Sequence, residues 1–489
     1  MNKPLKHVAV VGFVMFAFLF GSTSYVQYFA AESLNENSLN NRTVIEELSR
    51  NRGPILVDGE PVALSNPVDD QFKFQRTYGS KQLPAKMYSP VTGFFSITSG
   101  ATGLERTEGS LLAGTDDKLF YDRISGWLTG QEPTGAAVEL TLNPKAQRAA
   151  YQALEGQKGA AVAMNPKTGE VLAMVSTPGF DPNDMATHDR KDAEAAYKSA
   201  LKDPDKPLYN RAIGGNLYPP GSVFKLVTAA AALESGDYTE DTEIDAPNAL
   251  KLPQTSHTIK NAGGSTCADG KKATLKHSIM KSCNTPIAKL GMDLGADAMN
   301  KQAEKFGFGD NFTMPLKVSA STFPESPNEP ELAQSAIGQF EVKTTPLQVC
   351  MVTAAIANGG TEMRPNLISE VRNARTLETI DKPKPREYSR PISKDTARQL
   401  SDMMVDVVEK GTGTAASISG VKVAGKTGTA QHAQGAAPHA WFTGFAPADD
   451  PQVAVAVVVE SGGNAGNQAS GGRVAGPIAK KVMEAVVNE

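Results

Sequence analysis

Three short strings carry the chemistry of this chain: Ser222-Val223-Phe224-Lys225, Ser282-Cys283-Asn284 and Lys426-Thr427-Gly428-Thr429. A serine three residues ahead of a lysine is a nucleophile with its own base when both share one face of a helix. A second serine beside an amide offers a proton relay and a peptide clamp. A Lys-Thr-Gly-Thr run offers a cation, two hydroxyls and a side-chain-free point of approach. Each string alone is weak, because Ser and Lys three apart occur by chance in most long chains. All three together point to serine acyl transfer.

Pro219-Pro220-Gly221 restricts and then releases the backbone just before Ser222, which suits a serine delivered to the mouth of a buried helix. At the helix's first turn, free N–H groups and the helix dipole favour an oxyanion. Lys225, one turn on, reaches the Ser222 hydroxyl. With an ordinary pKa of about 10.4 it could not take that proton at neutral pH. Burial beside the Ala-rich helix, or the charge of Lys426, would lower it. The bland alternative is a solvent-facing lysine behind an N-capping serine, and the two later motifs weigh against it.

Ser282 and Asn284 lie on a turn between the helical stretch Leu275–Met280 and Thr285-Pro286. Ser282 is placed as a relay between lysine and leaving group, and the Asn284 amide as a hold on a substrate peptide group. Helix capping is the bland alternative. Cys283 is expected in the core. The third motif follows Val421, Val423 and Ala424, an alternating, edge-like strand. Gly428 lets a substrate backbone add to that strand. Thr427 and Thr429 are expected to bind a terminal carboxylate beside Lys426, and the N–H groups of Ser222 and Thr429 to form the oxyanion hole. A phosphate-binding loop is the rival reading of Lys426-Thr427 and is set aside.

The chain has 489 residues, too many for one core, so two or three domains are expected. A formal charge of -4 argues against nucleic-acid binding. Cys267, Cys283 and Cys350 show no metal-ligand spacing, and an odd count leaves at least one thiol unpaired. None of the six histidines falls in a catalytic motif, although His439, beside the presumed cleft, is a candidate substrate contact.

Val8 to Ala31 is a run of 24 uncharged residues, about 36 Å as a helix, against about 30 Å of bilayer hydrocarbon. Tyr25, Tyr28 and Phe29 sit where an interfacial aromatic belt would fall, with Lys3 and Lys6 before the run and Glu32 after it. A membrane anchor with its N-terminus inside is expected. A cleaved signal peptide is the alternative, and the bulky Tyr28 before Ala30 disfavours it.

The expected organisation is a cytoplasmic tail at 1–7, an anchor at 8–31, a small mixed, β-rich N-terminal pedestal at 32–140 and a catalytic domain at 141–489. The pedestal alternates short β-prone runs with Gly and Pro turns and shows little helical periodicity. The catalytic part opens with a helix at 144–154 and a hairpin of 159–164 with 171–175. A helical block at 222–415 follows, including a helix at Ser222–Leu233 and helices near 274–293 and 345–358. A second hairpin (439–445 with 453–460) and a closing helix at 477–487 end it. Strands at both ends around a helical middle imply one sheet assembled from distant pieces.

With these motifs the sequence resembles class B penicillin-binding proteins, monofunctional peptidoglycan D,D-transpeptidases, most of all the actinobacterial PbpA type. Asn51-Arg52-Gly53-Pro54-Ile55, Tyr209-Asn210-Arg211-Ala212, Ile337-Gly338-Gln339, Thr345-Pro346-Leu347-Gln348 and Ala357-Asn358-Gly359-Gly360 share in the resemblance. It implies an α/β (α+β) serine transpeptidase, β-lactamase-like fold, a five-stranded antiparallel sheet flanked by helices above a small dimerisation-like pedestal. It further implies Ser222 as acylated nucleophile, Lys225 as general base, Ser282 and Asn284 as second motif, and Lys426, Thr427 and Thr429 as third. Phe340 departs from the family, which commonly has Gly there. The implied partners are peptidoglycan stem peptides, β-lactam antibiotics, membrane lipid around the N-terminal helix and a separate glycosyltransferase; no metal or cofactor is implied. Two other readings are a hydrolytic D,D-carboxypeptidase or β-lactamase-like enzyme, and a non-enzymatic β-lactam sensor or divisome scaffold.

Overall fold

The computed structural model describes residues 3–29, 41–121, 123–124, 130, 134–432 and 435–488, so Ala31, the expected end of the anchor, and Glu32 after it lie outside the described residues. The chain forms two compact units, one of residues 1–51 with 66–75 and one of residues 52–65 with 76–489. The first unit contains helix α1 (Lys3–Ser24), which runs into a π-helical turn at Tyr25–Phe29. The segment Lys3–Tyr28 is long and apolar enough to cross a membrane, and none of it is buried.

In the second unit, β1 (Ile55–Val57) pairs antiparallel with β2 (Glu60–Pro67) and parallel with β3 (Ala137–Leu140). Short helices at Ala85–Thr92, Gly103–Thr107 and Gly109–Leu112 fill the interval, each too short to show a 3.6-residue period in sequence. Buried Glu105 ties this module together. Its carboxylate accepts from Arg52 at 2.8 Å, Arg76 at 2.6 Å and Tyr78 at 3.2 Å. Burial opposes its ionisation, but the two guanidiniums prevail and hold it below the usual carboxylate range.

Asn143 caps α2 (Pro144–Ala153), accepting from Ala146 N, with Pro144 in the first turn. The hairpin β4 (Gly159–Met164) and β5 (Val171–Thr177) follows. Four helices then matter to the site: α3 (Lys225–Ser235), α4 (Leu275–Met280), α5 (Thr285–Leu294) and α6 (Pro346–Ala357). The middle is less purely helical than its sequence suggests. Small hairpins interrupt it, including Ala249–Lys251 paired with Thr258–Lys260. Further on, β6 (Ile368–Arg372) and β7 (Thr379–Asp381) return to the first sheet, where β6 pairs with β3.

The last third supplies β8 (Ala424–Ala430), β9 (His439–Ala446), β10 (Val453–Val459) and helix α7 (Gly471–Val487). The main sheet is five-stranded and antiparallel, in the order β8-β9-β10-β4-β5. Along β10, Ala454, Ala456 and Val458 join one core layer, and Val453, Val455, Val457 and Val459 join the other. That alternation is the two-residue period of a strand, with both faces covered. Helix α6 packs on one face and α7 with α2 on the other side. Residues Pro346 to Ile356 of α6 are all buried, as an all-round apolar helix demands. Helix α7 begins six residues before the periodic pattern at Pro477, because Gly471, Gly472 and Gly476 carry no side chain to register in it.

Candidate active site

Ser222 lies in a 3-10 turn, Gly221–Val223, and the α-helix proper starts at Lys225, so the nucleophile candidate stands just ahead of the α-helix. Gly221 has φ +55° and donates through its N–H to Gly338 O at 2.8 Å. A Cβ there would lie 2.7 Å from Thr429 O. The turn is therefore pressed against strand β8, and only glycine fits at its pivot. Behind it, α3 is buried from Lys225 to Leu233.

Lys225 is wholly buried, and its Nζ donates to Ser282 O at 2.8 Å, Cys283 O at 2.9 Å and Asn284 Oδ1 at 2.7 Å. Among the described residues no hydrogen bond joins it to Ser222. Burial first, and then the charge of Lys426, holds the Lys225 pKa well below the ordinary lysine value. Ser282 has φ +59°, a left-handed conformation uncommon outside glycine. That kink is the local feature that lets the second motif offer Lys225 its acceptors. Lys426, also wholly buried, donates to Ser282 Oγ at 2.8 Å and Thr427 O at 3.0 Å, and burial brings its pKa down to about 7.

Gly428 is a point of close approach within the protein itself. A Cβ there would come within 2.9 Å of the Trp441 side chain and 3.0 Å of Pro220 O. Among the described residues strand β8 is the edge of the sheet, paired on one side only, with β9. Ser222, Ser282, Asn284, Thr427, Gly428 and Thr429 together line one cleft of about 710 Å³. Lys260 and Lys281 also line it, and no Asp or Glu does among the described residues. Lys225 and Lys426 sit beneath it. Through Lys260 and Lys281 the lining is cationic, matched to a substrate that carries a carboxylate.

Sequence reasoning did not find the segment Ile259–Gly263, Gln334, Thr412, Gln431 or Ser470–Gly472, all of which line the cleft. Ile337-Gly338-Gln339 was singled out only through the resemblance. Asn261 is the most consequential of the rest. Its Oδ1 accepts from Asn284 N at 2.7 Å and Thr285 N at 3.1 Å, so it takes up free donors at the start of α5. Asn284 in turn donates through Nδ2 to Lys260 O at 2.8 Å, and its side chain is committed to protein groups at both ends.

Cys283 is buried as expected, and it also forms a disulfide with Cys267, stapling the second motif to the loop before it, with buried Cys350 the remaining thiol. His277 lies close to both sulfurs, but the disulfide leaves no thiolate for a metal. His439 does not line the cleft: it is buried, stacks on His432 at 3.9 Å and accepts from Ser461 N at 3.0 Å through Nδ1. Phe340, where the family commonly has glycine, takes φ +59°, which explains that preference without removing the turn. Gly420 to Thr427 does carry the G-x-x-x-x-G-K-[ST] spacing of a phosphate loop. The fold excludes that reading, because Gly425, Lys426 and Thr427 are strand residues with no helix opening after them.

Comparison with known proteins agrees with this geometry. Residues 159–484 match the penicillin binding protein transpeptidase domain, and residues 52–138 match the penicillin binding protein A dimerisation domain. The chain is 40% identical to the peptidoglycan D,D-transpeptidase PbpA of Mycolicibacterium smegmatis, with all of both chains covered. It is 38% identical to PbpA of Mycobacterium tuberculosis, across all of this chain and 99% of that one. The structure of M. tuberculosis penicillin-binding protein A as a ceftriaxone acyl-enzyme superposes with a TM-score of 0.87 at 40% identity, covering 91% of this chain and 100% of that one. Its penicillin G acyl-enzyme superposes at 0.83 and 39%, covering 89% and 99%.

Proposed function

The chain belongs to the penicillin-binding protein transpeptidase family, and on that premise we propose that Ser222 is the nucleophile with which it cross-links peptidoglycan stem peptides. The observation that carries the reading is the convergence of Ser222, Ser282 and Thr427 to Thr429 on one cleft, backed by the buried Lys225 and Lys426. The protein is a serine D,D-transpeptidase working through an acyl-enzyme that β-lactams also form.

The residues divide the reaction as follows. A stem peptide ending in D-alanyl-D-alanine adds along the free edge of β8, its terminal carboxylate held by Thr427 and Thr429 beside Lys426. Lys225, whose pKa is held well below the ordinary lysine value by burial and the charge of Lys426, takes the Ser222 proton as the oxygen attacks the peptide carbonyl. The N–H groups of Ser222 and Thr429 receive the oxyanion. Ser282, which accepts from Lys426, relays a proton between lysine and leaving group: its hydroxyl proton goes to the departing D-alanine nitrogen and a lysine ammonium restores it, so the proton taken from Ser222 is in net delivered to the leaving amine. Asn284 holds Lys225 in place and borders the peptide. The amine of a second stem then takes the acyl group from Ser222, and the proton flow reverses.

The division at 140/141 into pedestal and catalytic domain is supported by the separate matches at 52–138 and 159–484. The single apolar N-terminal helix is consistent with a membrane anchor. Lys3 and Lys6 before it and Glu32 after it favour a cytoplasmic N-terminus and an extracellular catalytic domain. The two matched domains are a dimerisation and a transpeptidase domain, which supports a separate glycosyltransferase as supplier of glycan strands.

The test is mass spectrometry of the detergent-solubilised protein after benzylpenicillin. One drug adduct is expected on the peptide containing Ser222, and none in Ser222→Ala. An adduct elsewhere, or one that persists in the variant, would overturn the assignment. Turnover of a stem-peptide thioester with an amine acceptor separates a transpeptidase from a sensor that is only acylated.

A further inference from the structure

Strand β10 reads Val-Ala-Val-Ala-Val-Val-Val and is followed at once by a glutamate, Glu460, whose side chain is largely buried. A single oxygen of that carboxylate, Oε1, accepts from Tyr218 Oη at 2.6 Å and from Arg211 Nε at 2.9 Å. Arg211 is itself buried, and its remaining guanidinium nitrogens donate to backbone carbonyls, Asp205 O at 2.5 Å and Lys206 O at 3.3 Å. A buried ion pair with these extra partners resists disruption, because removing either member strands a charge.

What lies on either side gives the cluster its meaning. Tyr218 stands four residues before Ser222, and its backbone exchanges two hydrogen bonds with Thr344, at 3.0 and 2.9 Å. Its ring meets the His439 and Trp441 rings edge-on, and Trp441 Nε1 donates to Pro219 O at 3.1 Å. On the other side, the chain leaves Glu460 through Ser461, Gly462 and Gly463, all with positive φ, and arrives at the cleft-lining Ser470, Gly471 and Gly472. Gly471 is so close to the third-motif strand that a Cβ would lie 2.5 Å from Gly428 O. One carboxylate therefore joins the lead-in of the nucleophile to the root of the opposite cleft wall.

We propose that Glu460, with Tyr218 and Arg211, forms a positioning cluster that sets the Ser222 turn against strand β8 for acylation. None of the three lines the cleft, and they act through the turn they hold. This rests on Ser222 being the nucleophile.

The test is stopped-flow acylation of the full chain with a fluorescent penicillin, separating the non-covalent binding constant from the first-order acylation constant. Tyr218→Phe keeps the ring between His439 and Trp441 and removes only the hydroxyl. The acylation constant should fall about tenfold, the scale of one hydrogen bond to a charged group, with binding and thermal midpoint close to the parent. Glu460→Gln should fall further. The double variant should fall no further than Glu460→Gln alone, because the proposed action of the hydroxyl on the turn runs through that carboxylate. A parent-like acylation constant in Tyr218→Phe, or additive losses in the double variant, would overturn the proposal. So would a lowered thermal midpoint in Glu460→Gln with acylation intact, which marks a purely structural pair. A parent protein that forms no adduct on Ser222 would instead remove the functional reading beneath it.

Discussion

Lys225 Nζ and Asn284 Oδ1 meet at 2.7 Å, and this amide is the one side-chain acceptor that Lys225 has among the described residues. The other two acceptors are the main-chain carbonyls of Ser282 and Cys283. The proposed base is thus held by the second motif and, among the described residues, makes no hydrogen bond to Ser222. Replacing Asn284 by Ala should slow acylation by about tenfold or more, the range for loss of a hydrogen bond to a charged group. Asn284→Asp keeps the acceptor and adds a negative charge that favours protonated Lys225, so its pKa rises and the acidic limb of the acylation profile moves to higher pH. Stopped-flow rates across pH check both, and an unmoved limb in Asn284→Asp would remove Asn284 as the partner of the base.

Lys426 acts on Lys225 through charge, as the second cause of its depressed pKa after burial. Removing that cation in Lys426→Ala relieves like-charge repulsion, so protonated Lys225 is favoured and its pKa rises. The acidic limb should move to higher pH, and less so in Lys426→Arg, which keeps a charge on a different geometry. Because burial brings Lys426 itself to about 7, its repulsion operates mainly below that pH, and Lys426→Ala should depart from the parent there. Equal, unshifted limbs would leave Lys426 as a substrate anchor alone. Substrate binding should weaken in the Ala variant in either case.

The Cys267–Cys283 disulfide closes a loop across a sequence separation of 16, and a loop near that size is worth about 3 kcal/mol. Cys267→Ser should lower the thermal midpoint and also slow acylation, because Cys283 O is a partner of Lys225. Calorimetry and stopped-flow on the same preparation check the pair. Unchanged acylation with a lowered midpoint would confine the disulfide to stability.

Glu362 is fully buried, accepts from Ser389 Oγ at 3.1 Å through one oxygen, and leaves Oε1 without a hydrogen bond among the described residues. Burial raises its pKa from 4.5 to about 8. Between those values the folded state holds a proton that the unfolded chain has released, so this group's contribution to stability falls as pH rises through that window. The scale is about 1.4 kcal/mol per pH unit. Glu362→Gln should be close to the parent in stability near pH 4.5 and gain on it progressively up to pH 8. A stability difference that stays constant over that range, measured by thermal unfolding, would contradict the raised pKa.

Local sequence determined a good deal of this protein. The motif strings name the reactive groups, because acyl transfer needs those residue types. The hairpins at 159–164 with 171–175 and at 439–445 with 453–460, and the helix at 144–154, were legible because turn chemistry and a two- or 3.6-residue period are local properties. The apolar run at 8–31 was legible for the same reason. What tertiary structure alone decided is everything that depends on chain segments meeting across distance. Lys225 points to the second motif, 57 to 59 residues away, rather than to Ser222, because Ser282 adopts a left-handed turn that no propensity favours. Cys267 and Cys283 pair, Asn261 takes the donors of Asn284 and Thr285, and β6 returns to the sheet of β3, with no sequence period announcing any of it. Glu460 reads as a polar end to an apolar strand and becomes the shared partner of Arg211 and Tyr218, more than 240 residues earlier, once the fold is closed. Periodicity records which face a residue turns to the core; which neighbour it finds there is set only when separate elements pack and their buried polar groups must find partners.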